Sequence, residues 1–296
     1  MNMDVVYLKG AEAAAIEQRD KDPVYYGAKY FEIFSTFRNL LENMKLPEPD
    51  DSNSSGTSAA VEATATEMAD YIKAVCREDP KPASDHRNYA DACWQVIMTM
   101  VPGIPLGHPW YAVLVRTVHV LRGMVGVRIS SDPDSTETWD GLGRWGYLLW
   151  GAWERRDAYL KKDAEMYLWK RWVSFFPQMP DIIATPDRAV RVIRDLETPP
   201  DEDLMHVMCV LWTACEWLIH KAPQALGCLR WLDSYKKGLR QGRPPPKYAR
   251  GLSDLERWGW WKNHLQWWHN LLPDADPIEM KAQVARALAG MEAAET

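Results

Sequence analysis

The fold class of this chain is decided by residues 139–176, which read WDGLGRWGYLLWGAWERRDAYLKKDAEMYLWKRWVSFF. This stretch holds six of the sixteen tryptophans of the chain. Apolar side chains recur every three or four residues over 139–153 and again over 169–172, which is the period of a helix with one apolar face. A charged interval suited to water separates the two runs. The stretch therefore predicts either one long bent helix or two helices that meet near residue 162.

Helical periodicity continues through the rest of the chain, and no strand-like alternation of four or more residues occurs. Asp22-Pro23 predicts the start of a helix, because proline is favoured in a first helical turn. We predict an all-α protein, with one domain over residues 1–296 that is a single bundle of roughly ten helices around a tryptophan-rich core. A flexible acidic and serine-rich loop is expected at 47–58, and a proline-rich loop at 242–247. The helix after Pro23 carries an aromatic stripe of Tyr26, Tyr30, Phe34, Phe37 and Leu41.

Turn residues and helix caps predict the ends of the other helices. The most apolar helix runs from Trp110 to about residue 129. Another, over 203–221, is apolar nearly all round and is expected at the centre of the bundle. Ser253 is expected to cap a helix that reads LERWGWWKNHLQWWHNLL, on which His264 and His269 are expected at the surface. The remaining helices are expected at about 4–20, 58–78, 84–101, 185–196, 223–239 and 277–294.

Composition and charge restrict the class of protein. The chain is 47% hydrophobic and 26% charged, which indicates a soluble globular protein. A net charge of −6 argues against binding to nucleic acid. The chain contains no run of about eighteen apolar residues, so no membrane span is predicted. The N-terminus lacks the basic and apolar regions of a secretory signal. We therefore expect a cytoplasmic protein, and a homodimer is compatible with this reading.

Motifs of the common catalytic classes are missing from the sequence. It contains no GxxxxGK[ST], no GxGxxG after a strand, no GxSxG and no HExxH. Metal-dependent terpene cyclases hold magnesium through aspartate-rich motifs, whereas the acidic groups at 132–137 and 274–279 contain proline and have the pattern of helix starts. We predict no metal site and no cofactor. The scattered cysteines form no CxxC pair and are predicted to be buried, reduced thiols: Cys76, Cys93, Cys209, Cys215 and Cys228.

Polar side chains on apolar helix faces are the remaining site candidates, because a buried ionisable group must be paired or have its pKa shifted. The alternative is that these groups pair with one another as structural links, and that the tryptophans near them are ordinary core residues. The candidate catalytic donors are Arg116, His119, Tyr147, His206 and Glu216. The candidate walls of a cavity for an apolar substrate are Trp94, Trp150, Trp153, Trp172 and Trp212.

Two stretches resemble a known family, the OpdG-type fungal helical proteins catalogued only as a domain of unknown function. The first is the pattern of Trp139 and Leu142 followed by Gly146, Leu149 and Trp153. The second resembles the family element S-x-E-R-W-x-F-W-K and consists of Ser253, Glu256, Arg257, Trp258, Trp261 and Lys262. The apolar helix with Cys215, Glu216 and Trp217 fits the same family, so that the resemblance covers roughly residues 85–290.

The chain departs from the family pattern at two positions. Gly143 stands where the family usually has proline, and Trp150 stands where it usually has arginine. An indole in place of a cation makes the neighbouring interior more apolar. The resemblance implies a fungal source and an all-α fold, and it supplies no established catalytic residues. Members of such families occur beside secondary-metabolite genes, which implies a role with small molecules.

Two functions follow from these observations. The first is a cofactor-independent enzyme that binds an apolar terpenoid or polyketide intermediate and promotes intramolecular cyclisation, of Diels–Alder type, or isomerisation. A cavity that folds the substrate into a reactive conformer can supply about 7–11 kcal/mol of the barrier. The second is a non-enzymatic helical module that binds a protein partner or regulates a pathway. An enclosed aromatic cavity with polar groups would favour the enzyme, and a solid core with an exposed apolar surface would favour the module.

Overall fold

The structure is a computed structural model, and its described residues form ten α-helices. Their only β-structure is an antiparallel bridge between Arg128 and Thr138, so that the predicted all-α class is confirmed. No described helix is both long enough and apolar enough to cross a membrane. The residues described are 8–45, 54–79, 88–129, 138–139, 166–180, 185–197, 204–239, 253–274 and 279–296.

The helices fall into two compact units. Unit 1 comprises Met1–Tyr159 and Tyr167–Phe175, and unit 2 comprises Leu160–Met166 and Phe176–Thr296. The expectation of one domain over residues 1–296 stays a prediction. The helices are α1 (Lys9–Lys21), α2 (Tyr26–Glu42), α3 (Ser54–Arg77), α4 (Tyr89–Met100), α5 (Pro109–Arg122), α6 (Met166–Phe175), α7 (Pro186–Ile193), α8 (Leu204–Leu239), α9 (Asp254–Leu271) and α10 (Met280–Glu295).

In unit 1, the predicted aromatic stripe forms the buried face of α2. The carboxylate of Asp22 accepts hydrogen bonds of 3.2 Å from the backbone N–H groups of Tyr25 and Tyr26, which satisfies two donors at the start of this helix. A Cβ added at Gly27 would lie 2.0 Å from the carbonyl oxygen of Gln18. Only glycine therefore allows α1 and α2 to approach so closely. The five buried residues of the stripe are Tyr26, Tyr30, Phe34, Phe37 and Leu41.

Of the tryptophan-rich stretch 139–176, the described residues are Trp139, helix α6 and Phe176. Arg171 of α6 donates to the carbonyl oxygens of Pro102 and Gly103, at 3.1 and 3.2 Å, and thereby ties α6 to the turn that follows α4. The hydroxyl of Tyr111 on α5 donates to the carbonyl oxygen of Arg171 at 2.8 Å. Residues 140–165 lie outside the described residues, so the choice between one bent helix and two stays a prediction.

Two predicted helix limits in unit 1 are wrong. Helix α3 begins at Ser54 rather than near residue 58, so residues 54–58 of the predicted loop are helical. Helix α5 ends at Arg122 rather than near residue 129. Gly126, which follows it, has a φ of +70°, a conformation that lies outside any right-handed helix and is rarely adopted by other residues.

The predicted start of α4 at Ser84-Asp85 is also wrong. The helix begins at Tyr89, and its cap is Asn88, whose side chain accepts a hydrogen bond of 2.7 Å from the backbone N–H of Asp91. Asparagine is among the preferred cap residues, since its short side chain reaches the free donors of the first turn. Ser84 and Asp85 themselves lie outside the described residues.

Unit 2 is organised around α8, which packs against α7, α9 and α10. The predicted helices at 203–221 and 223–239 form one element that kinks at Lys221, where φ is −132° and ψ is 16°. Pro223 explains the kink, because proline has no N–H to donate and its ring clashes with the preceding turn. The Lys221 ammonium group is buried and donates to the carbonyl oxygen of Met179 at 2.9 Å.

The described core is rich in tryptophan, as predicted. Of the buried cysteines, Cys76 and Cys215 have pKa values raised by burial, so their thiols stay protonated. All five cysteines are free, and only Cys228 is not fully buried. Nine of the tryptophans that the structure describes are buried: Trp94, Trp110, Trp139, Trp169, Trp172, Trp212, Trp217, Trp258 and Trp261.

Candidate functional site

Arg116, a predicted catalytic donor, lies at the surface of unit 1. Its guanidinium group donates to Glu62 Oε1 at 2.8 Å and so joins α5 to α3. The side chains of Arg116 and Glu62 are 47% and 49% exposed. Hydrogen bonding to Arg116 holds the pKa of the Glu62 carboxyl below its usual value. His119, three residues further along α5, is partly buried. The arrangement at Arg116 is that of a surface link between two helices.

Glu216, another predicted catalytic donor, lies buried on α8 in unit 2, where it belongs to a network of hydrogen bonds. Its carboxylate accepts a hydrogen bond from the Gln283 amide of α10. His220 Nε2 lies 3.6 Å from Glu216 Oε2, and Arg286 donates to the amide oxygen of Gln283. A chain of polar groups thus runs from the partly exposed His220, through the buried carboxylate, to α10. Gln283 and His220 were absent from the predicted site.

The remaining predicted site residues divide into buried and undescribed ones. Trp94 and Trp172 are buried in unit 1, and Trp212 is buried in unit 2 one helical turn before Glu216. His206 belongs to α8, but its side chain lies outside the described part. No group of three or more His, Cys, Asp or Glu side chains suited to a metal ion occurs among the described residues. Outside the described residues lie Tyr147, Trp150 and Trp153.

The C-terminal motif contains a buried ion pair of unit 2. Arg257 Nη1 donates to Glu197 Oε2 at 2.6 Å, and Trp261 Nε1 donates to Glu197 Oε1 at 2.9 Å. Each of these three residues is at most 4% exposed. The two donors lie four residues apart, and therefore on one face of α9. They hold the carboxylate at the end of the turn after α7, so that α9 is attached to that turn.

A second pair of motif residues attaches α9 to α10. Trp258 Nε1 and Lys262 Nζ donate to the two carboxylate oxygens of Glu295, at 2.9 and 2.8 Å. These hydrogen bonds lower the pKa of the Glu295 carboxyl. The predicted cap at Ser253 is confirmed, since Ser253 and Glu256 bond each other's backbone N–H groups in a capping box. Every residue of the motif therefore has a structural role.

A face of α9 beside these anchors carries an aromatic stripe, which we define as Trp260, His264, Trp267 and Leu271. The imidazole of His264 is stacked between two indoles, with ring centroids 4.8 Å from Trp260 and 5.8 Å from Trp267 and interplanar angles of 13° and 15°. Trp267 and Leu271 are 52% and 59% exposed. The stripe is therefore a surface of stacked rings that reaches solvent.

His264 is held in its neutral form within this stripe. Trp268 Nε1 donates to His264 Nε2 at 3.1 Å, which requires that nitrogen to be unprotonated and places the ring proton on Nδ1. Burial between the rings also lowers the pKa of His264 below 6.5. The expectation that His264 lies at the surface is only partly met, because its ring is half-buried.

Sequence reasoning missed the two carboxylates that anchor α9. Glu197 precedes two prolines and Glu295 lies next to the end of the chain, so neither position stands out. The signal was on α9 itself, where two pairs of donors at a spacing of four, Arg257 with Trp261 and Trp258 with Lys262, predict one acceptor for each pair. Nothing in the sequence identifies which carboxylates those acceptors are.

Replacing Arg257 by leucine is expected to lower the free energy of unfolding by about 3–5 kcal/mol, because it leaves the Glu197 carboxylate buried without its cation. The matched control is Arg116→Leu, which breaks an exposed ion pair and should cost less than about 1 kcal/mol. Urea denaturation followed by circular dichroism measures both. Equal losses in the two variants would contradict a dominant role for the buried pair.

Lowering the pH from 7.5 to 5 is expected to remove the contribution of His264 to stability. Its pKa in the folded protein lies below the unfolded value of 6.5, so the stabilisation is present above pH 6.5 and is lost as the pH falls through the folded pKa. The wild type should therefore lose stability relative to His264→Gln over this interval in urea denaturation. A constant difference between the two proteins would show that His264 titrates normally.

The chain was compared with known proteins. Residues 94–265, more than half of the chain, match the family described as "Protein of unknown function (DUF3632)". This region includes Glu197 and both donors that bind it. Neither the curated proteins nor the solved structures contain a match to the chain. The chain therefore belongs to the DUF3632 family of proteins of unknown function.

Proposed function

We propose that the protein is a non-enzymatic helical interaction module, and that the aromatic stripe of α9 docks an uncharged, apolar segment of a partner protein. The observation that carries this proposal is the exposure of Trp267 and Leu271 on a stack of rings that continues through His264 to Trp260. Tryptophan is enriched among the residues that dominate binding energy at protein interfaces. An exposed run of such residues is characteristic of an interaction surface.

The rigidity of α9 supports this proposal. A neighbouring face of the helix is attached through Arg257 and Trp261 to the buried Glu197. The stripe itself is ordered by stacking and by the hydrogen bond from Trp268 to His264. Side chains that are already ordered lose little conformational entropy on binding, so more of their contact energy appears as affinity.

The charge of the stripe decides the chemistry of the partner. Between Trp260 and Leu271, the exposed positions beside the stripe carry Asn263, Gln266 and Asn270, which are uncharged. The exposed carboxylates at its two ends, Glu256 and Asp274, bond the Ser253 backbone N–H and Lys281. Lys262, the charged side chain within this part of α9, is engaged by Glu295 at 2.8 Å. A charged partner would lose hydration here without gaining a counter-ion. An apolar segment with few charges fits this surface best.

Cross-linking from the stripe tests the proposal. A photoreactive benzoylphenylalanine at position 267 is expected to capture one partner protein in cells of the source organism, and the same group in place of the 60% exposed Trp231 of α8 should not. The captured protein is then purified and titrated against the full chain. Trp267→Ala should weaken that affinity by about 2 kcal/mol or more, as expected for a hot-spot residue.

Three outcomes would contradict the docking proposal. Equal capture from positions 267 and 231 would indicate non-specific contact. Cross-links only to a second copy of this chain would make the occupant of the stripe a homodimer partner. An unchanged affinity in Trp267→Ala, with Trp231→Ala as the matched control, would place the interface elsewhere.

A second candidate function is supported by the Glu216–His220 pair. We propose as this alternative a cytoplasmic, cofactor-independent enzyme of fungal secondary metabolism, of OpdG type, that isomerises or cyclises an apolar terpenoid or polyketide intermediate. The buried carboxylate of Glu216 lies 3.6 Å from the imidazole of His220, whose side chain is 33% exposed. A carboxylate next to an imidazole that reaches solvent can exchange protons with a substrate and with water.

Deuterium exchange tests this alternative. Terpenoid and polyketide substrates incubated with the protein in heavy water are expected to gain deuterium at carbon if Glu216 transfers the proton. Glu216→Gln should slow the incorporation by about 100-fold or more, since an amide cannot accept that proton. Glu62→Gln, at an exposed carboxylate, is the matched control. Equal rates of deuterium incorporation in the two variants, measured by mass spectrometry, would contradict the role of Glu216 in proton transfer.

A further inference from the structure

A groove of about 440 Å³ lies between α2 and the first half of α3 in unit 1. This volume is within the range of small-molecule sites in proteins. Its apolar lining includes Leu40, Met44 and Ala60. The side chains on α3 are small here, which leaves the space between the two helices open. Neither of the functions proposed above uses this groove.

The polar group that distinguishes the groove is the hydroxyl of Thr64. The side chain lines the groove, and the residue is only 8% exposed. Within the described part of the chain, this hydroxyl makes no hydrogen bond. The Thr64 oxygen is open to the groove, since it is not one of the fully buried polar atoms that lack a partner. Its hydrogen-bonding capacity is therefore available to water or to a ligand. Five other helical threonines donate to the carbonyl oxygen four residues earlier: Thr36, Thr66, Thr99, Thr117 and Thr213.

Two carboxamides at the rim extend this polar set. Asn39 and Asn43 line the groove on α2 and directly after it, and both are exposed. Neither side chain makes a hydrogen bond to another described residue. Together with Thr64 they place a hydroxyl and two amides around an apolar floor. All three can donate to the same kind of acceptor.

We propose that this groove is a binding site for an uncharged small molecule that has an apolar body and a carbonyl oxygen, such as a lactone, ester or ketone. The apolar body lies along Leu40, Met44 and Ala60, and the carbonyl oxygen accepts a hydrogen bond from Thr64. The ionisable residues of the lining, Lys45 and Glu67, have opposite charges and do not favour a ligand of either sign. The hydroxyl thereby bonds the ligand in place of water.

Binding of γ-decalactone to the full chain tests the site. The protein is labelled with ¹³C at its methionine methyl groups, and the resonance of Met44 is identified by its loss in Met44→Leu. Titration should shift that resonance in a saturable manner. Thr64→Val, which keeps the shape of the side chain, should weaken the affinity about two- to tenfold, the value of one neutral hydrogen bond.

A matched variant separates ligand binding from a structural role of threonine. Thr66→Val changes an exposed threonine of the same helix whose hydroxyl is bonded to the Glu62 carbonyl oxygen at 2.8 Å. It should leave the affinity unchanged. Thr64→Val should not lower the melting temperature, because the Thr64 hydroxyl has no hydrogen bond to lose. Ala60→Phe, which fills the groove, should abolish the shift of the Met44 resonance.

Three results would overturn the inference. The first is no shift of Met44 up to the solubility limit of the lactone. The second is the same affinity in wild type and Thr64→Val. The third is tighter binding of decanoate or decylamine than of the lactone, since this would assign the groove to a charged ligand. None of these results depends on the partner of α9, so the site and the docking surface are tested separately.

Discussion

The buried carboxylate of Glu197 is the interaction on which the described structure of unit 2 depends. A carboxylate removed from water is unfavourable unless it is paired and hydrogen-bonded. Arg257 provides the charge and Trp261 the second donor, both from the same face of α9. Because the cost of leaving Glu197 unpaired is high, the orientation of α9 about its own axis is determined. That orientation decides which side chains of this tryptophan-rich helix face the core and which face solvent.

The exposed aromatic stripe is a consequence of that orientation. The tryptophans of α9 span about half of the helix circumference, which is wider than one buried face, so hydrophobicity alone does not select the residues to be buried. Arg257 and Trp261 select it through Glu197, and Trp258 and Lys262 select a neighbouring face through Glu295. The residues left outside are then Trp260, Trp267 and Leu271, with His264 stacked among them. The polar contacts of α9 with Glu197 and Glu295 thus leave these indoles on the solvent side of the helix.

Particular residues show how far the sequence could be interpreted. The stripe of α2 was predicted residue by residue, because a period of 3.6 leaves only one face for Tyr26, Tyr30 and Phe34. The capping box at Ser253 followed from short-range chemistry in the same way. Arg116 has an equally apolar sequence context, yet it lies at the surface. Periodicity assigns a residue to a helix face. It does not show which part of that face packs on α3 and which part is exposed to solvent.

The sequence by itself determined the helical class, the buried stripe of α2, the cap at Ser253 and the tryptophan-rich core, since all of these follow from side-chain periodicity and from groups a few residues apart. Only the tertiary structure decided which carboxylates meet the donors of α9, and that Glu216 bonds Gln283. It also decided that small residues of α3 face α2 and leave a groove with the Thr64 hydroxyl unpaired. The hydrogen bonds of α9 and of Glu216 join residues that lie between 33 and 67 positions apart, and helical periodicity contains no information on such distant pairs.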